Sequence, residues 1–258
     1  MIDDGGTSPT KGLAANPVQP ILADHKNIGV HYDTGWARRP VFSALRDLFF
    51  SGFLGPLARF ICTPTVEGLN NLNDHETPVI FAPNHVSHFD TIAVLCTLPR
   101  SFRRRTAVAA AVDNFYDKRW KCLLYSFFLN TIPVERTKIN RKSADVAAGL
   151  LEEGYNLLIF PEGGRSLDDH MMEFRGGAAY LAKRCDVAVI PVFLDGPNKI
   201  MPKGRPGIHR SPITVTFGTP LRIAGPSPEE KEENTRRFTK RIQAGVVALG
   251  ALPPVDEE

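Results

Sequence analysis

The sequence predicts an α/β domain with a mainly parallel central sheet flanked by helices. Apolar runs of strand length alternate along the chain with longer segments of helical periodicity, which is the order that parallel βαβ units produce. The run at residues 187–192, VAVIPV, is apolar at every position, as expected for a strand buried on both faces. With 43% hydrophobic and 23% charged residues, the 258-residue chain has an ordinary globular composition.

The strands and helices expected from this pattern follow one another from residue 65 onward. The last helix starts at the sequence SPEE, where Ser227 is an N-cap followed by proline and two acids, and it stops at Gly250. Strands are expected near residues 65–69, 79–82, 107–112, 131–135, 156–160, 187–192 and 213–218, and helices after residue 87 and near 120–128, 143–153, 176–182 and 227–249.

The chain before residue 65 divides into two parts. Residues 1–35 are rich in Gly, Pro, Asn and Asp, which predicts a flexible N-terminal extension. Residues 36–64 form an amphipathic helical segment. Its apolar run is interrupted by Pro56 and short of the roughly 20 residues of a membrane span, so we expect a hairpin of helices lying in a membrane surface. Packing into the core is the alternative. Residues 65–250 form the domain itself, and 251–258 a tail.

Composition also bears on compartment and partners. The four cysteines show no paired spacing, and the acidic start MIDD is unlike a secretory signal, which predicts the reducing, cytoplasmic side of a membrane. A net charge of +3 is too small to indicate a nucleic-acid partner. The basic loop at residues 100–105 is either a solvated charge run or an anchor to anionic lipid.

Residues 84–90, NHVSHFD, are the strongest candidate for chemistry. They follow a buried strand, and open α/β sheets place their ligands at the carboxyl ends of strands. Asp90 lies five residues after His85 and can reach back to an imidazole nitrogen. A neutral imidazole can then take a proton from a hydroxyl, while the carboxylate holds the tautomer. Without a serine on a sharp glycine-flanked turn nearby, the hydroxyl would be the substrate's own.

Two other interpretations of these residues stay open. Ser87 and Asp90 match a capping box, in which Ser87 is the N-cap of the following helix and Asp90 is its N3 residue. His85, His88 and Asp90 would also suit zinc or iron, although the turn before the helix separates the two histidines.

A second candidate site follows the predicted strand at residues 156–160. The sequence PEGGRS places two glycines, which let backbone N–H groups approach a ligand, beside Arg165, whose planar fork matches phosphate. An ordinary glycine turn with a surface arginine is the alternative. We favour an anion site.

Four stretches together carry a family resemblance. Residues 84–90, 132–136, 160–166 and 189–192 are similar to the four ordered blocks of the glycerolipid acyltransferases of the lysophosphatidate type. The resemblance covers about residues 65–221. Its first and third blocks are specific, whereas the second and fourth are weak by themselves.

This resemblance implies a glycerolipid-acyltransferase-like fold and the transfer of a fatty acyl group from acyl-CoA or acyl carrier protein. The acceptor would be the hydroxyl of a lysophospholipid such as 1-acylglycerol 3-phosphate, met at a membrane surface. His85 would be the general base and Asp90 its orienting partner, with no metal and no other cofactor. The implied substrate-binding residues are Asn84, Ser87, Arg136, Glu162, Gly163, Gly164, Arg165 and Ser166.

The chain departs from this pattern at two places. Many relatives that use lysophosphatidate carry a lysine where this chain has residues 109–111, AAA, and relatives often carry threonine at the position of Gly164. Transfer to a different lysolipid or to a glycolipid is therefore an alternative. A lipid-binding, membrane-associated protein without turnover is another, although such a protein needs no general base.

Overall fold

The computed structural model describes residues 28–73, 78–135, 141–165, 171–202, 207–223 and 231–251. Within these residues, seven strands form one sheet in the spatial order β1-β7-β6-β2-β5-β3-β4. The strands are β1 (Pro64–Glu67), β2 (Val79–Pro83), β3 (Thr106–Ala111), β4 (Thr131–Val134), β5 (Asn156–Leu158), β6 (Ala188–Asp195) and β7 (Ile213–Phe217).

The sheet is mainly parallel, as predicted. Strands β6, β2, β5, β3 and β4 pair in parallel, and only the β6–β7 pairing is antiparallel. Because β2 and β5 are parallel neighbours, their carboxyl ends lie side by side at one edge of the sheet. That pairing brings residues 84–90 next to residues 159–165, which follow them by about 75 positions in sequence.

Helices cover both faces of the sheet. The helices are α1 (Pro40–Phe49), α2 (Gly55–Cys62), α3 (Asp90–Thr97), α4 (Arg100–Arg104), α5 (Val112–Phe115), α6 (Arg119–Leu129), α7 (Arg141–Glu152), α8 (Gly177–Cys185), α9 (Pro197–Ile200) and α10 (Lys231–Gly250). Side chains alternate along β2, so that Val79 and Phe81 join one core cluster with α2 and α3, while Ile80 and Ala82 join a second cluster with α7, α8 and α10. The predicted N-cap Ser227 lies outside the described residues.

The domain begins earlier than the sequence suggested. Residues 1–27 lie outside the described part of the chain, but residues 28–35 pack on it. The Gly29 amide donates to the carbonyl of Tyr116 at 3.1 Å, and the Tyr32 ring lies 5.8 Å from the Tyr116 ring. Thr34 is buried. The prediction of a flexible extension is therefore wrong for residues 28–35, because a buried tyrosine holds them.

The predicted helical hairpin is wrong, because Pro40–Cys62 is one continuous helix. A single π-helical turn, Phe50–Leu54, joins α1 to α2. The wider turn absorbs one extra residue, so the chain continues through Pro56, whose missing N–H would interrupt an ordinary helix. At this turn the Gly55 amide donates to the Phe50 carbonyl, and a Cβ on Gly55 would lie 2.8 Å from that oxygen. Glycine is what permits this close approach.

This long helix is embedded on one side and exposed on the other. Phe50, Ala58 and Cys62 are buried in the core cluster beside α3. By length and composition it is the one helix in the described residues that could cross a membrane, whereas the sequence analysis expected no segment long enough to do so. Within its most apolar stretch of 18 residues, 28% is buried. Its exposed apolar side chains are Val41, Leu45, Leu48, Phe53, Leu57 and Phe60.

Three of the arginines in this segment serve the fold. Arg38 donates to Thr34 and Asn130, Arg46 donates to the Ala37 carbonyl at 2.8 Å, and Arg59 donates to the Cys96 carbonyl at 3.0 Å near the end of α3. Burial lowers the pKa of Arg46 to about 10, so it remains charged at neutral pH. Arg38 and Arg46 therefore do not form the basic edge of a membrane contact, whereas Arg59 is exposed.

The basic run at residues 100–105 is mostly helical and is organised by Asp47. Asp47 is buried and accepts hydrogen bonds from Arg100 at 2.9 Å and Arg103 at 3.3 Å. Burial alone would raise the pKa of Asp47, but these hydrogen bonds bring it below its usual value. The run immediately precedes β3, so it lies at the opposite edge of the sheet from His85 and cannot replace the lysine absent from residues 109–111.

We predict opposite effects of alanine at two glycines of the long helix. Gly55→Ala should lower the unfolding free energy by about 1–3 kcal/mol, since its Cβ displaces the Phe50 carbonyl. Gly52→Ala meets nothing within 4 Å and should raise it by roughly 0.5–1 kcal/mol. Chemical denaturation of both variants measures the difference, and equal effects would contradict the close approach at Gly55.

Candidate active site

The His85–Asp90 pair forms at the carboxyl end of β2. β2 ends at Pro83, and the short turn that follows leads into α3, whose first residue is Asp90. His85 Nδ1 lies 2.8 Å from Asp90 Oδ2. The side chain of His85 is 18% exposed and that of Asp90 is fully buried. Since a carboxylate only accepts, Nδ1 carries the proton and Nε2 is the basic nitrogen.

One oxygen of Asp90 organises the whole turn. Besides the imidazole, Oδ2 accepts the backbone N–H groups of Val86 at 2.7 Å and Ser87 at 2.8 Å. Oδ1 is buried and has no hydrogen-bond partner in the described residues. Burial raises the pKa of the Asp90 carboxyl, while the hydrogen bonds from His85, Ser87 and Val86 oppose that shift.

The capping interpretation is half right. Asp90 does accept the Ser87 amide, as the acidic residue of a capping box does, but α3 begins at Asp90 and its N-cap position is Phe89. The Ser87 hydroxyl accepts the Phe89 amide at 3.2 Å and donates to the Met201 carbonyl at 3.3 Å. A single carboxylate therefore both supports the turn and holds the imidazole, so the two interpretations do not exclude each other.

Asn84 and Ser87 are structural in this arrangement. Asn84 bridges the ends of β2 and β6: its side-chain amide donates to the Leu194 carbonyl at 3.0 Å, and its oxygen accepts the Leu194 amide at 2.8 Å. Asn84 is 5% exposed and Ser87 is fully buried. The resemblance implied that both side chains bind substrate. In the structure their polar groups are bonded to the protein instead.

Glu162, which follows β5, supports His85 from the neighbouring strand. One carboxylate oxygen accepts the His85 amide at 2.7 Å, and the other accepts the Met172 amide at 2.9 Å. Burial raises its pKa, and these two hydrogen bonds oppose the shift. Glu162 is 2% exposed, so it positions backbone on both sides of the site rather than presenting a carboxylate to the substrate. The ring of Phe160 stacks on His85, with centroids 4.2 Å apart.

Gly163 lets an arginine cross the site. Gly163 has φ of 68°, and a Cβ there would lie 2.8 Å from Nε of Arg175. The Arg175 amide donates to the Pro161 carbonyl at 2.8 Å, which fixes its backbone beside the turn. Arg175 thus lies against the turn that contains Arg165, at a place where the sequence predicted a helix start whose N-terminus can bind an anion. The signal that could have identified it is the sequence FRGG before α8.

The remaining predicted residues have different outcomes. Gly164 and Arg165 are half-buried in the turn after β5, beside Gly163. Arg136 and Ser166 lie outside the described residues, so their predicted roles remain predictions.

One cavity is lined by His85, and a second cavity lies beside the first. The first, of about 100 Å³, is bounded by His85 and Phe160 and runs along residues 108–111 of β3. The second, of about 280 Å³, is bounded mainly by apolar residues of α7 and α8. Ile159, Phe160 and Gly163 border both cavities. Residues 109–111 are alanines, and their small side chains leave the cavity of about 100 Å³ open beside His85.

The metal interpretation does not fit this geometry. In the described residues no group of three or more His, Cys, Asp or Glu side chains is placed to hold a metal ion. Oδ2 of Asp90 accepts hydrogen bonds from the His85 ring and from two backbone amides. The side chains of His85 and Asp90 therefore face each other and do not point toward a shared metal position.

Comparison with known proteins agrees with the site. A family model described as acyltransferase matches residues 63–195, which include the His85–Asp90 pair and the turn after β5. The chain belongs to the acyltransferase family. The family prediction made from the four sequence blocks is thereby confirmed.

Named relatives and one solved structure add to this comparison. The chain is 34% identical over 160 residues to chloroplastic 1-acyl-sn-glycerol-3-phosphate acyltransferase LPAT1 of Arabidopsis thaliana, covering 60% of this chain and 43% of that protein. It is 31% identical over 160 residues to the chloroplastic BAT2 enzyme of Brassica napus, covering 60% and 44%. The chain thus spans less than half the length of these relatives.

The same fold occurs in a crystal structure of the 1-acyl-sn-glycerophosphate (LPA) acyltransferase PlsC from Thermotoga maritima. The two superpose with a TM-score of 0.58 over 87% of this chain and 86% of that chain, at 24% identity. At this identity the likeness establishes the fold, and the predicted fold class is confirmed.

We predict unequal losses when the pair is altered. His85→Ala should slow acyl transfer at least ~10²-fold, because it removes the general base. In Asp90→Asn the amide oxygen must still face the Val86 and Ser87 amides, so it also still accepts from Nδ1. The tautomer survives and only the negative charge is lost, so the loss should be smaller than in His85→Ala.

Initial rates with one acyl donor test this order, and circular dichroism controls for folding. If Asp90→Asn unfolds at a lower temperature while keeping full activity, Asp90 serves only the turn.

Proposed function

We propose that this protein transfers a fatty acyl group from a thioester donor to the hydroxyl of a lysophospholipid, with 1-acylglycerol 3-phosphate as the first candidate acceptor. The observation that carries the proposal is the buried Asp90 carboxylate on Nδ1 of His85, a histidine that lines a cavity. The names of the Arabidopsis and Brassica relatives support this acceptor.

The chemistry needs only the two substrates and this pair. The acceptor hydroxyl gives its proton to Nε2 of His85 as its oxygen attacks the thioester carbonyl carbon. The new C–O ester bond forms, the C–S bond breaks, and the departing sulfur takes the proton back from Nε2. Asp90 stabilises the imidazolium that exists between these steps. No metal or redox cofactor takes part in this scheme.

The acceptor's phosphate would bind beside the turn after β5. Arg165 lies in that turn and Arg175 lies against Gly163. We propose that their guanidinium groups bind the phosphate, since a guanidinium can pair with two phosphate oxygens at once. Gly163 allows Arg175 to lie across the turn. We propose that Arg165 and Arg175 supply the positive charge that many relatives provide with a lysine at the positions of residues 109–111. In this chain those three residues are alanines.

A panel of acceptors with a single acyl-CoA tests the proposed function. Release of free CoA should require a lysophospholipid and should be fastest with 1-acylglycerol 3-phosphate. If another lysolipid or a glycolipid is fastest, the acceptor assignment is wrong. If no acceptor promotes release from acyl-CoA or from acyl carrier protein while lipid vesicles still bind, the protein is a lipid-binding relative without turnover.

The same panel tests the phosphate contact. A charge-assisted hydrogen bond contributes ~1.5–3 kcal/mol, so Arg165→Ala should lower kcat/KM for 1-acylglycerol 3-phosphate by roughly 10–100-fold. A monoacylglycerol, which lacks phosphate, should be used almost equally well by both proteins. Equal losses with both acceptors would contradict the assignment of Arg165.

We also propose that the long helix Pro40–Cys62 and α6 together contact the membrane. The exposed row of the long helix lies beside α6, because Phe49 packs on Phe128 with centroids 4.8 Å apart. On α6, Trp120 is 56% exposed, and Leu123 and Leu124 are also exposed. Exposed cations flank both helices, which favours an anionic surface. These cations are Arg39, Arg100, Arg104, Lys118 and Arg119.

This surface leads to the site. Leu129, at the end of α6, and Phe115, in α5, border the cavity that contains His85. An acyl chain leaving the bilayer beside α6 would therefore reach the His85 cavity without crossing water. We propose further that this surface contacts the cytoplasmic side of a membrane, as the composition predicts.

Replacing exposed side chains should weaken vesicle binding. The triple variant Val41→Ser, Leu48→Ser, Phe53→Ser should bind anionic vesicles several-fold more weakly, and binding of the wild-type protein should fall with salt, since charges are screened over about 8 Å at physiological ionic strength. Phe50 must stay, because it is buried.

The matched control replaces two exposed apolar residues elsewhere, Ile208→Ser and Val247→Ser. Flotation with vesicles measures binding, and thermal unfolding checks the fold. Equal binding of the triple variant and the control would place the membrane contact on another surface.

A further inference from the structure

The segment that carries Arg175 into the site has no regular secondary structure. Residues 171–175 belong to no helix or strand, and they lead into α8. The backbone N–H and C=O groups of such a segment have no partners in a helix or a sheet ladder, so other groups must bind them. Contacts from the turn after β5 and from α10 do so. These contacts decide where Arg175 lies.

Gln243 of α10 binds this segment twice. Its side-chain oxygen accepts the Phe174 amide at 3.2 Å, and its side-chain nitrogen donates to the Met172 carbonyl at 3.3 Å. One primary amide therefore pairs with a C=O and an N–H that are two residues apart, as a neighbouring strand would. Gln243 thus takes the place of the strand partner that residues 172–174 lack.

The core beneath α10 fixes the position of Gln243. Phe238, Ile242 and Val246 follow one another at intervals of four residues, and all three are buried in the core cluster shared with α7 and α8. Residues at this spacing form one apolar face of a helix, which holds α10 against the sheet. Gln243 is half-buried and directly follows Ile242, so it meets the segment from a rigid support.

Arg175 depends on this contact because it directly follows Phe174. Its own amide donates to the Pro161 carbonyl at 2.8 Å. Its Nε lies so near Gly163 that a Cβ there would come within 2.8 Å. Arg175 is thus held on one side by the turn after β5 and on the other by the bond between Phe174 and Gln243. Loss of that bond frees the preceding residue, and the guanidinium then loses its fixed place beside Gly163.

We propose that Gln243 is a positioning residue for acyl transfer, which acts through Phe174 to hold Arg175 beside Gly163. This inference rests on the proposed function, in which Arg175 binds the acceptor's phosphate, and it adds a residue of α10 to the site. The match to the acyltransferase family covers residues 63–195 and does not include α10. The Met172 amide has its own bond to Glu162, so the effect of Gln243 should fall on the phosphate contact rather than on His85.

Kinetics with two acceptors test the proposal. Gln243→Met keeps the length of the side chain and removes both hydrogen-bonding groups. It should lower kcat/KM for 1-acylglycerol 3-phosphate about fivefold, mainly through KM, as the loss of one or two hydrogen bonds does. For a monoacylglycerol, which lacks phosphate, kcat/KM should stay within about twofold of the wild-type value. Equal losses with both acceptors would overturn the proposal, because they would indicate a general structural defect.

The matched control is Thr239→Val, one helical turn before Gln243 on the same face of α10. The Thr239 hydroxyl donates to the Thr235 carbonyl within the helix, so its removal leaves both Gln243 contacts in place. This variant should keep kcat/KM for both acceptors within about twofold of the wild-type value. A phosphate-dependent loss as large as that of Gln243→Met would contradict the assignment to Gln243.

A double-mutant cycle identifies the residue through which Gln243 acts. Arg175→Ala should lower kcat/KM for 1-acylglycerol 3-phosphate at least as much as Gln243→Met does. Adding Gln243→Met to Arg175→Ala should cause little further loss, because the group that Gln243 positions is already gone. Full additivity of the two losses would overturn the proposal. If Arg175→Ala alone has no effect, the phosphate contact of the proposed function is wrong, and hydrogen exchange then decides whether Gln243 holds Arg175.

Amide hydrogen exchange measures the contact without turnover. In Gln243→Met the Arg175 amide should exchange at least about fivefold faster than in the wild-type protein, because the backbone beside it opens more often. In Thr239→Val it should exchange at the wild-type rate. Unchanged exchange at Arg175 in Gln243→Met would overturn the proposal. Absence of transfer from every donor to every acceptor would reject the proposed function, while exchange at Arg175 would still test the role of Gln243.

Discussion

The site depends on one buried carboxylate oxygen. Oδ2 of Asp90 receives three N–H groups, from the imidazole and from the Val86 and Ser87 amides. Burying a carboxylate costs several kcal/mol, and hydrogen bonds to a charged group contribute roughly 1.5–3 kcal/mol each, so the turn and the charge stabilise one another. The raised pKa of Asp90 shows that burial still exceeds this compensation. The fold thus bears the energetic cost of burying the Asp90 carboxylate at the place where the proposed chemistry needs a negative charge.

The neighbouring strands extend this arrangement outward. Asn84 ties the turn to β6, and Glu162 ties it to the segment that leads into α8. Both residues are buried and polar, and each satisfies backbone groups that strand pairing no longer reaches. The imidazole of His85 is therefore positioned by three adjacent strands. This explains why residues of a family motif can be essential to geometry without touching a substrate.

The charges of the protein separate into two uses. Asp47 and the arginines at 38 and 46 are partly or fully buried where they join helices to one another or to loops, and Arg59 joins the long helix to α3 from an exposed position. Other cations are exposed and lie beside the exposed apolar row of the long helix.

The sequence by itself determined the order of strands and helices, the place of residues 84–90 and 160–165 at strand ends, and the family. These features follow from local periodicity and short spacings. Only the tertiary structure decided that β2 lies beside β5, that Glu162 faces backbone, that Arg175 crosses Gly163, and that the helix continues through Pro56. The partner of a long polar side chain depends on which distant elements pack together, and periodicity carries no information about that.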